Sequence, residues 1–160
     1  MVRISDIIRS DKTDVEVSPW RTGHIARASF PLSKVKSKRY KLGPEYRWRI
    51  VKFKSKGREF RVLIELNENK EIFRATLGAV IEEDIAVLCC HEFHKSEPGW
   101  HCHVSWRDID TLTTGAFRSN LVRWPRAELV ATETAFPASA TNALSLATNR
   151  FRIAVQGELL

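Results

Sequence analysis

The stretch that decides the fold is residues 85–106, which read IAVLCCHEFHKSEPGWHCHVSW. An apolar run opens it, and Ser-Glu-Pro-Gly near its centre is a turn signal, because proline pre-sets φ and glycine tolerates positive φ. The pattern predicts a β-hairpin with one strand at about 85–94, a turn at about 95–99 and a second strand at about 100–106. This hairpin also contains four of the five histidines and all three cysteines of the chain.

Side chains alternate between the two faces of a strand, so Glu92 and His94 share a face, as do His101 and His103. If the register brings these faces together, three imidazoles and a carboxylate converge. Neutral imidazole suits divalent transition metals, and three imidazoles with open positions are typical of catalytic sites. We therefore predict a divalent metal ion (Zn, Mn or Mg) bound by the three histidines, with Glu92 as fourth ligand or general base. His91 has the wrong parity to join these residues. The alternative to a metal site is a chance cluster of surface histidines.

The three cysteines divide by the same parity. Cys90 shares the face of Glu92 and His94, whereas Cys89 and Cys102 point away from it. Cysteine in an apolar strand mostly behaves as a small hydrophobe, so we predict structural roles. The alternative is a nucleophilic thiol activated by a neighbouring imidazole.

The segment His94-Lys-Ser-Glu-Pro-Gly-Trp-His101-Cys-His103-Val resembles the metal-binding motif of the HUH single-strand endonucleases, which include rolling-circle replication initiators and plasmid relaxases. In that superfamily a His-hydrophobic-His pair on a central antiparallel strand holds a divalent metal that polarises the scissile phosphate, and a tyrosine attacks it. The resemblance implies that His101 and His103 are the pair and that His94 is the third ligand. Relaxases carry the tyrosine before the motif, which implies Tyr40 or Tyr46, and we take Tyr46 as the catalytic candidate.

A metal-dependent nuclease that uses water as its nucleophile needs only the metal ion and a general base. Glu92 and Glu97 are the candidate bases in this second mechanism.

Upstream of the hairpin, alternating apolar and polar residues predict further strands. Residues 46–54 alternate with a change of phase at Ile50-Val51, which we interpret as a β-bulge. The next strand places Phe60, Val62, Ile64 and Leu66 on one face, and residues 71–81 are also predicted as strand, with Gly78 arguing against a helix. Residues 46–106 therefore read as an antiparallel meander of about five strands.

The flanking regions are less regular. Residues 1–45 form an irregular basic segment with a weak helical start, in which 34–41 is either an exposed edge strand or a basic arm. Residues 107–160 contain loop and a C-terminal helix at roughly 138–152, whose apolar stripe is Ala143, Leu144, Ala147 and Phe151. We predict one α+β domain over residues 1–160, with an antiparallel sheet of five or six strands and a C-terminal helix.

The net charge of +7 is concentrated in the first 60 residues, which carry 16 Lys and Arg against 6 Asp and Glu. A cationic half suggests a polyanionic partner, and aromatic residues among the cations suggest single-stranded nucleic acid, because bases stack on aromatic rings. The alternative is an amphipathic strand that buries its aromatics and exposes solvated cations. The predicted nucleic-acid contacts are Arg47, Trp48, Arg49, Lys52, Lys54, Lys56 and Arg58.

The leading prediction is a metal-dependent nucleic-acid-processing protein that cleaves phosphodiester bonds at the histidine site. One alternative is a non-enzymatic nucleic-acid-binding or protein-binding module with structural histidines, and another is a cupin-like metal enzyme acting on a small molecule. The sequence has no apolar window long enough to span a membrane, no secretory signal and an odd number of cysteines, so we expect a cytoplasmic location and no membrane partner.

Overall fold

The computed structural model describes residues 1–119, 121–125 and 135–157, apart from the side chain of Pro98. Short 3-10 helices occur at Arg27–Ser29, Ser37–Tyr40 and Ile109–Thr111. The helices and strands are α1 (Ile4–Arg9), β1 (Thr13–Val17), β2 (Arg21–Thr22), β3 (Arg47–Ser55), β4 (Arg58–Asn67), β5 (Ile72–Ile81), β6 (Asp84–His94), β7 (Glu97–Val104), β8 (Val122–Trp124) and α2 (Ala143–Phe151).

The strands form one antiparallel sheet in the order β1-β3-β4-β5-β6-β7-β8, with β2 also paired to β3. The predicted α+β class, antiparallel sheet and C-terminal helix are confirmed, but the described sheet has eight strands instead of five or six. The additional strands β1, β2 and β8 contain five, two and three residues. Strands this short carry too few alternations to be recognised from sequence.

Both faces of the sheet are covered. One face, here called the helix face, packs against α1 and α2 and carries Phe60, Phe73 and Leu88. The other, here called the loop face, is covered by residues from the segment 25–40 and carries Trp48 and Leu63. Two covered faces explain why β3 to β6 contain so many consecutive apolar residues.

The bulge predicted at Ile50-Val51 is absent. The pairing of β3 with β4 runs without interruption from Arg47↔Leu66 to Ser55↔Arg58. Ile50 belongs to the loop-face core and Val51 to the helix-face core. The apparent change of phase therefore reflects burial on both faces and not an inserted residue.

A real irregularity lies between β5 and β6. Leu77 pairs with Cys89 and Gly78 pairs with Val87, so Leu88 is an extra residue in β6. Gly78 is required here, because a Cβ at this position would lie 2.3 Å from Cγ2 of Ile85. The bulge restores the alternation that places Cys90 and the residues after it on the correct faces.

Tyr40 anchors the cover of the loop face. Its hydroxyl donates to the Phe30 carbonyl and accepts from the Leu32 amide, both at 2.9 Å. The segment 34–41 is therefore neither the edge strand nor the basic arm predicted from its lysines: it contains the 3-10 helix Ser37–Tyr40, whose last residue is the buried Tyr40.

The C-terminal helix α2 begins five residues later than predicted. Ser139 and Asn142 exchange hydrogen bonds between side chain and backbone before the first helical turn. The predicted apolar stripe is buried as expected, and Phe151 is 1% exposed. Within the described residues, neither helix has the length and apolar character needed to cross a bilayer.

Candidate metal centre

A row of polar residues crosses the loop face of the sheet. Trp48 on β3 pairs with Glu65 on β4, Glu65 with Arg74 on β5, Arg74 with Glu92 on β6, and Glu92 with His101 on β7. Directly paired residues in an antiparallel sheet project from the same face. The hairpin register therefore brings Glu92 and His101 together on the loop face.

Three imidazoles surround one oxygen of Glu92. Its Oε2 lies 3.2 Å from Nε2 of His94, 3.4 Å from Nε2 of His101 and 3.9 Å from Nε2 of His103. One ligand atom from each of Glu92, His94 and His101 lies within 4.8 Å of the others. These three residues form a group that could hold a metal ion, and His103 lies beside it.

The tautomer of His101 suits metal ligation. Its Nδ1 lies 3.2 Å from the Gly99 carbonyl oxygen, and since a carbonyl only accepts, Nδ1 must carry the proton. In neutral His101, Nε2 then has a free lone pair aimed at the cluster, and this buried atom has no hydrogen-bond partner within the part of the chain described. Metal-binding histidines commonly donate their second nitrogen to a carbonyl in this way.

The second oxygen of Glu92 is held by cations and a thiol. Its Oε1 accepts hydrogen bonds from Nη2 of Arg118 and from Sγ of Cys90, the latter at 2.9 Å, and lies 3.8 Å from Nε of Arg74. Burial alone would raise the pKa of Glu92, but the contact with His101, the hydrogen bond from Cys90 and the positive charges of Arg118 and Arg74 hold the pKa well below its usual value. Glu92 is therefore an ionised carboxylate with Oε2 directed at the histidines.

His94 and His103 lie closer to solvent than His101, with side chains 13% and 17% exposed. Burial is the largest cause that lowers the pKa of both residues, and the charge of Arg118 adds to it for His103. The hydroxyl of Ser96 lies 2.8 Å from Nδ1 of His94 and can orient that ring. Neutral imidazole is the form that binds metals.

The structure thus brings together all four residues that the sequence placed at the metal site. It adds Arg118, Arg74 and Cys90, which sequence reasoning did not assign to the site. Parity placed Cys90 on the correct face, and Arg74 required the pairing of β5 with β6. Arg118 belongs to an irregular segment that offers no periodic signal.

Cys89, His91 and Cys102 lie on the helix face. Cys89 and Cys102 are buried in the helix-face core, as predicted. Cys102 is not purely apolar, because its Sγ accepts a hydrogen bond from Arg150 at 3.7 Å. His91 stacks on Trp100 with ring centroids 4.6 Å apart, and burial lowers its pKa to about 3. His91 is therefore a neutral aromatic packing residue.

Neither tyrosine of the HUH resemblance is brought to the histidines. Tyr40 has its hydroxyl committed to Phe30 and Leu32. Tyr46 precedes β3, three strands from β6, and its ring lies 5.9 Å from the Lys70 ammonium. Three interstrand steps amount to about 14 Å. We therefore correct the assignment of Tyr46 as a nucleophile at the metal site.

The predicted base-stacking platform is also wrong. Trp48 is 2% exposed and Phe53 is 1% exposed, so neither ring offers a face to a base. The alternative in which the strand buries its aromatics is the one observed.

The cations of the predicted nucleic-acid surface do not form one exposed patch. Arg47, Lys54 and Lys56 are exposed, whereas Arg49 and Lys52 are partly buried. Lys54 is paired with Asp14 at 2.9 Å and Arg58 with Asp110 at 2.8 Å. Arg49 donates to the Ser18 carbonyl and lies over the Trp20 ring.

No protein-family model, curated protein or solved structure matches this chain. Fold and site define its class: an α+β protein with an antiparallel sheet that carries a buried Glu-His-His group able to hold a metal ion. Its proposed activity therefore rests on the geometry of that group.

Proposed function

We propose that this protein binds a divalent transition metal ion through His94, His101, His103 and Glu92, and uses it to cleave phosphodiester bonds in nucleic acid. The observation that carries the metal site is the convergence of three imidazole nitrogens on one carboxylate oxygen, with Nδ1 of His101 tied to a carbonyl. The phosphodiester substrate is supported by the net charge of +7 and by the resemblance of the motif to HUH endonucleases.

All four ligands project from two adjacent strands on one face of the sheet. They would surround one side of an ion and leave positions for water or substrate on the other side, as in catalytic sites. Three imidazoles and one carboxylate suit zinc or manganese better than magnesium, which prefers oxygen ligands. An ion in such a site lowers the pKa of bound water and stabilises negative charge on a phosphate.

Water is the nucleophile that the geometry favours, because Tyr46 lies three strands away. Glu97 is the better general base, since both oxygens of Glu92 face other groups. The Glu97 side chain is 46% exposed and its Oε2 lies 3.6 Å from Nε2 of His101. A hydrogen bond from Arg123 is the main cause that lowers the pKa of Glu97, so it is ionised at neutral pH and can accept a proton.

Metal binding is expected to stabilise the fold, because the ligands belong to two strands that separate on unfolding. Zinc at 100 times its Kd should add about 2.7 kcal/mol, which corresponds to a rise in Tm of about 5–10 °C. Thermal unfolding with zinc, with manganese, with magnesium and with excess chelator measures the effect. An unchanged Tm with zinc at millimolar concentration would contradict the site.

Cleavage is expected to require both the ion and His103. The assay incubates chelator-treated protein with end-labelled single-stranded DNA and RNA, with and without zinc or manganese. The variant His103→Ala should lose at least about 100-fold in rate, while His24→Ala, which changes the exposed histidine outside the cluster, should retain full activity. Metal-loaded protein that leaves both substrates intact, while still binding the ion, would overturn the nuclease proposal.

A second candidate is a metal enzyme that acts on a small molecule, as cupins do. The burial of the site favours it, because the side chains of Glu92 and His101 are 0% exposed and a polymer has little access to them. The order of the ligands argues against a cupin. In this chain the carboxylate of Glu92 precedes the histidine pair and lies on the neighbouring strand, whereas the cupin pattern places the carboxylate after the pair. Salt discriminates the two candidates, since oligonucleotide binding weakens steeply as salt rises.

The non-enzymatic alternative differs in its metal content. Such a protein would purify without stoichiometric metal, and if its histidines are incidental it would fold equally well after replacement of His94 and His103.

A further inference from the structure

Two guanidinium groups lie against one aromatic ring at the border of the metal centre. The Arg39 guanidinium carbon lies 4.1 Å from the centroid of Phe117, and that of Arg118 lies 5.6 Å from it. Phe117 packs partly buried against the loop-face core. Arg118 also reaches the Glu92 carboxylate, so this pair of arginines adjoins the metal ligands.

Arg74 is the third arginine at this place. It projects from β5 on the loop face, directly paired with Glu92, and its side chain is 20% exposed. Its Nε is buried and makes no hydrogen bond to any described residue. Three different segments therefore supply the set that we name the arginine cluster: Arg39, Arg74 and Arg118.

Among the residues that the structure describes, the carboxylates nearby do not balance these charges. Glu92 supplies one negative charge. Burial is the main cause that raises the pKa of Glu65, which favours its neutral form. Glu97 is engaged by Arg123 at 2.9 Å. Three guanidinium groups therefore outnumber the two described carboxylates beside them, Glu92 and Glu65, and a divalent ion held by neutral imidazoles would increase this excess of positive charge.

Such an excess in a partly buried place attracts an anion, because unpaired charge away from water is costly. Guanidinium groups bind phosphate oxygens through paired N–H donors, and groups arriving from separate segments can contact different oxygens of one tetrahedral anion. Arg118 can contact both Glu92 and an anion. One of its nitrogens binds the Glu92 carboxylate, and 40% of its side chain remains exposed.

We propose that the arginine cluster is an anion-binding site that holds a phosphate group of the substrate beside the metal ion. The inference rests on the proposed function for the choice of phosphate. It moves substrate binding away from the cations of residues 47–58, in β3 and the turn to β4, to residues on the border of the histidine site. The same chemistry serves a free phosphate, a nucleotide or an oligonucleotide, and the experiment separates these sources.

The variant Arg39→Gln tests the arginine cluster separately from the metal centre, because Arg39 is exposed and contacts Phe117 without touching a metal ligand. Arg47→Gln is the matched control, an exposed arginine at the start of β3. Calorimetric titration of zinc-loaded protein with inorganic phosphate, and separately with a 5′-phosphorylated single-stranded decamer, measures affinity. Arg39→Gln is expected to weaken binding at least about tenfold, or 1.4 kcal/mol, and Arg47→Gln to change it less than twofold.

Zinc affinity, measured in parallel by competition with a chromophoric chelator, should be the same in all three proteins. Binding of both probes supports a site that accepts a terminal or free phosphate, and binding of the decamer alone supports one that accepts an internal phosphate. Equal weakening by the two variants, or no binding of either probe to protein that has bound zinc, overturns the arginine cluster and leaves the metal centre standing. Phosphate binding that depends on Arg39 in a protein that takes up no metal supports the cluster and contradicts the metal centre.

Discussion

Replacing His101 with alanine is expected to lower the affinity for zinc by at least about 100-fold. Loss of a residue that only supports a metal ligand typically costs 10-fold to 100-fold, and loss of a ligand costs at least as much. His101 is the best-oriented member of the site, because its Nδ1 donates to Gly99 and its Nε2 is left without a hydrogen-bond partner among the described residues.

Competition against a chromophoric zinc chelator measures this affinity over several orders of magnitude. His24→Ala is the matched control, since His24 is the one histidine outside the hairpin and its side chain is exposed. The His101 side chain is fully buried, so its removal can also disturb folding. His94→Ala changes a ligand closer to solvent and should give a similar loss with intact far-UV circular dichroism. Zinc bound equally by wild type, His94→Ala and His101→Ala would exclude the proposed site.

Replacing Phe73 with alanine is expected to lower the free energy of unfolding by about 3–5 kcal/mol. Phe73 is 0% exposed and lies in the helix-face core, where its ring meets Trp100 edge to face with centroids 5.6 Å apart. It pairs directly with Leu66 on β4 and with Phe93 on β6. Its removal therefore leaves a cavity between three neighbouring strands that position Glu92 and Arg74 on the opposite face.

Urea unfolding of the metal-free protein tests this effect, with the transition midpoint reporting stability and the slope reporting the surface exposed. Trp106→Ala is the control, because Trp106 is a large aromatic residue that is 56% exposed, and its loss should change stability by less than about 0.5 kcal/mol. A loss below about 1 kcal/mol for Phe73→Ala would show that the core at this position collapses around the missing ring.

The long strands were predictable because each one shows either alternation or an apolar run beside a turn signal over enough residues. Phe60, Val62 and Ile64 do face the same core, and residues 72–81 form a strand as predicted. The predicted turn at 95–99 is shorter in the structure, since β7 begins at Glu97. Backbone pairing can extend into turn-like sequence, and this extension depends on the neighbouring strand.

The wrong predictions share one physical cause: they concern contacts between segments that are distant in sequence. Trp48 alternates with the cations Arg47 and Arg49 in a way that fits an exposed amphipathic strand, yet the loop face is covered by a segment distant in sequence. Residues 1–60 are basic, but their composition does not predict which of the cations form ion pairs with acidic residues. Lys54 finds Asp14 and Arg58 finds Asp110 only after the chain has folded.

The sequence by itself determined that Glu92 and His94 share a face, that His101 and His103 share a face, and that Cys89 and Cys102 lie on the opposite one. This follows because side-chain alternation is a local property of each strand. Only the tertiary structure decided that Arg74 pairs with Glu92, that Arg118 reaches the same carboxylate, and that residues 25–40 cover Trp48. Those contacts join segments far apart in the chain, and strand register and loop placement are set by packing, which no local period encodes.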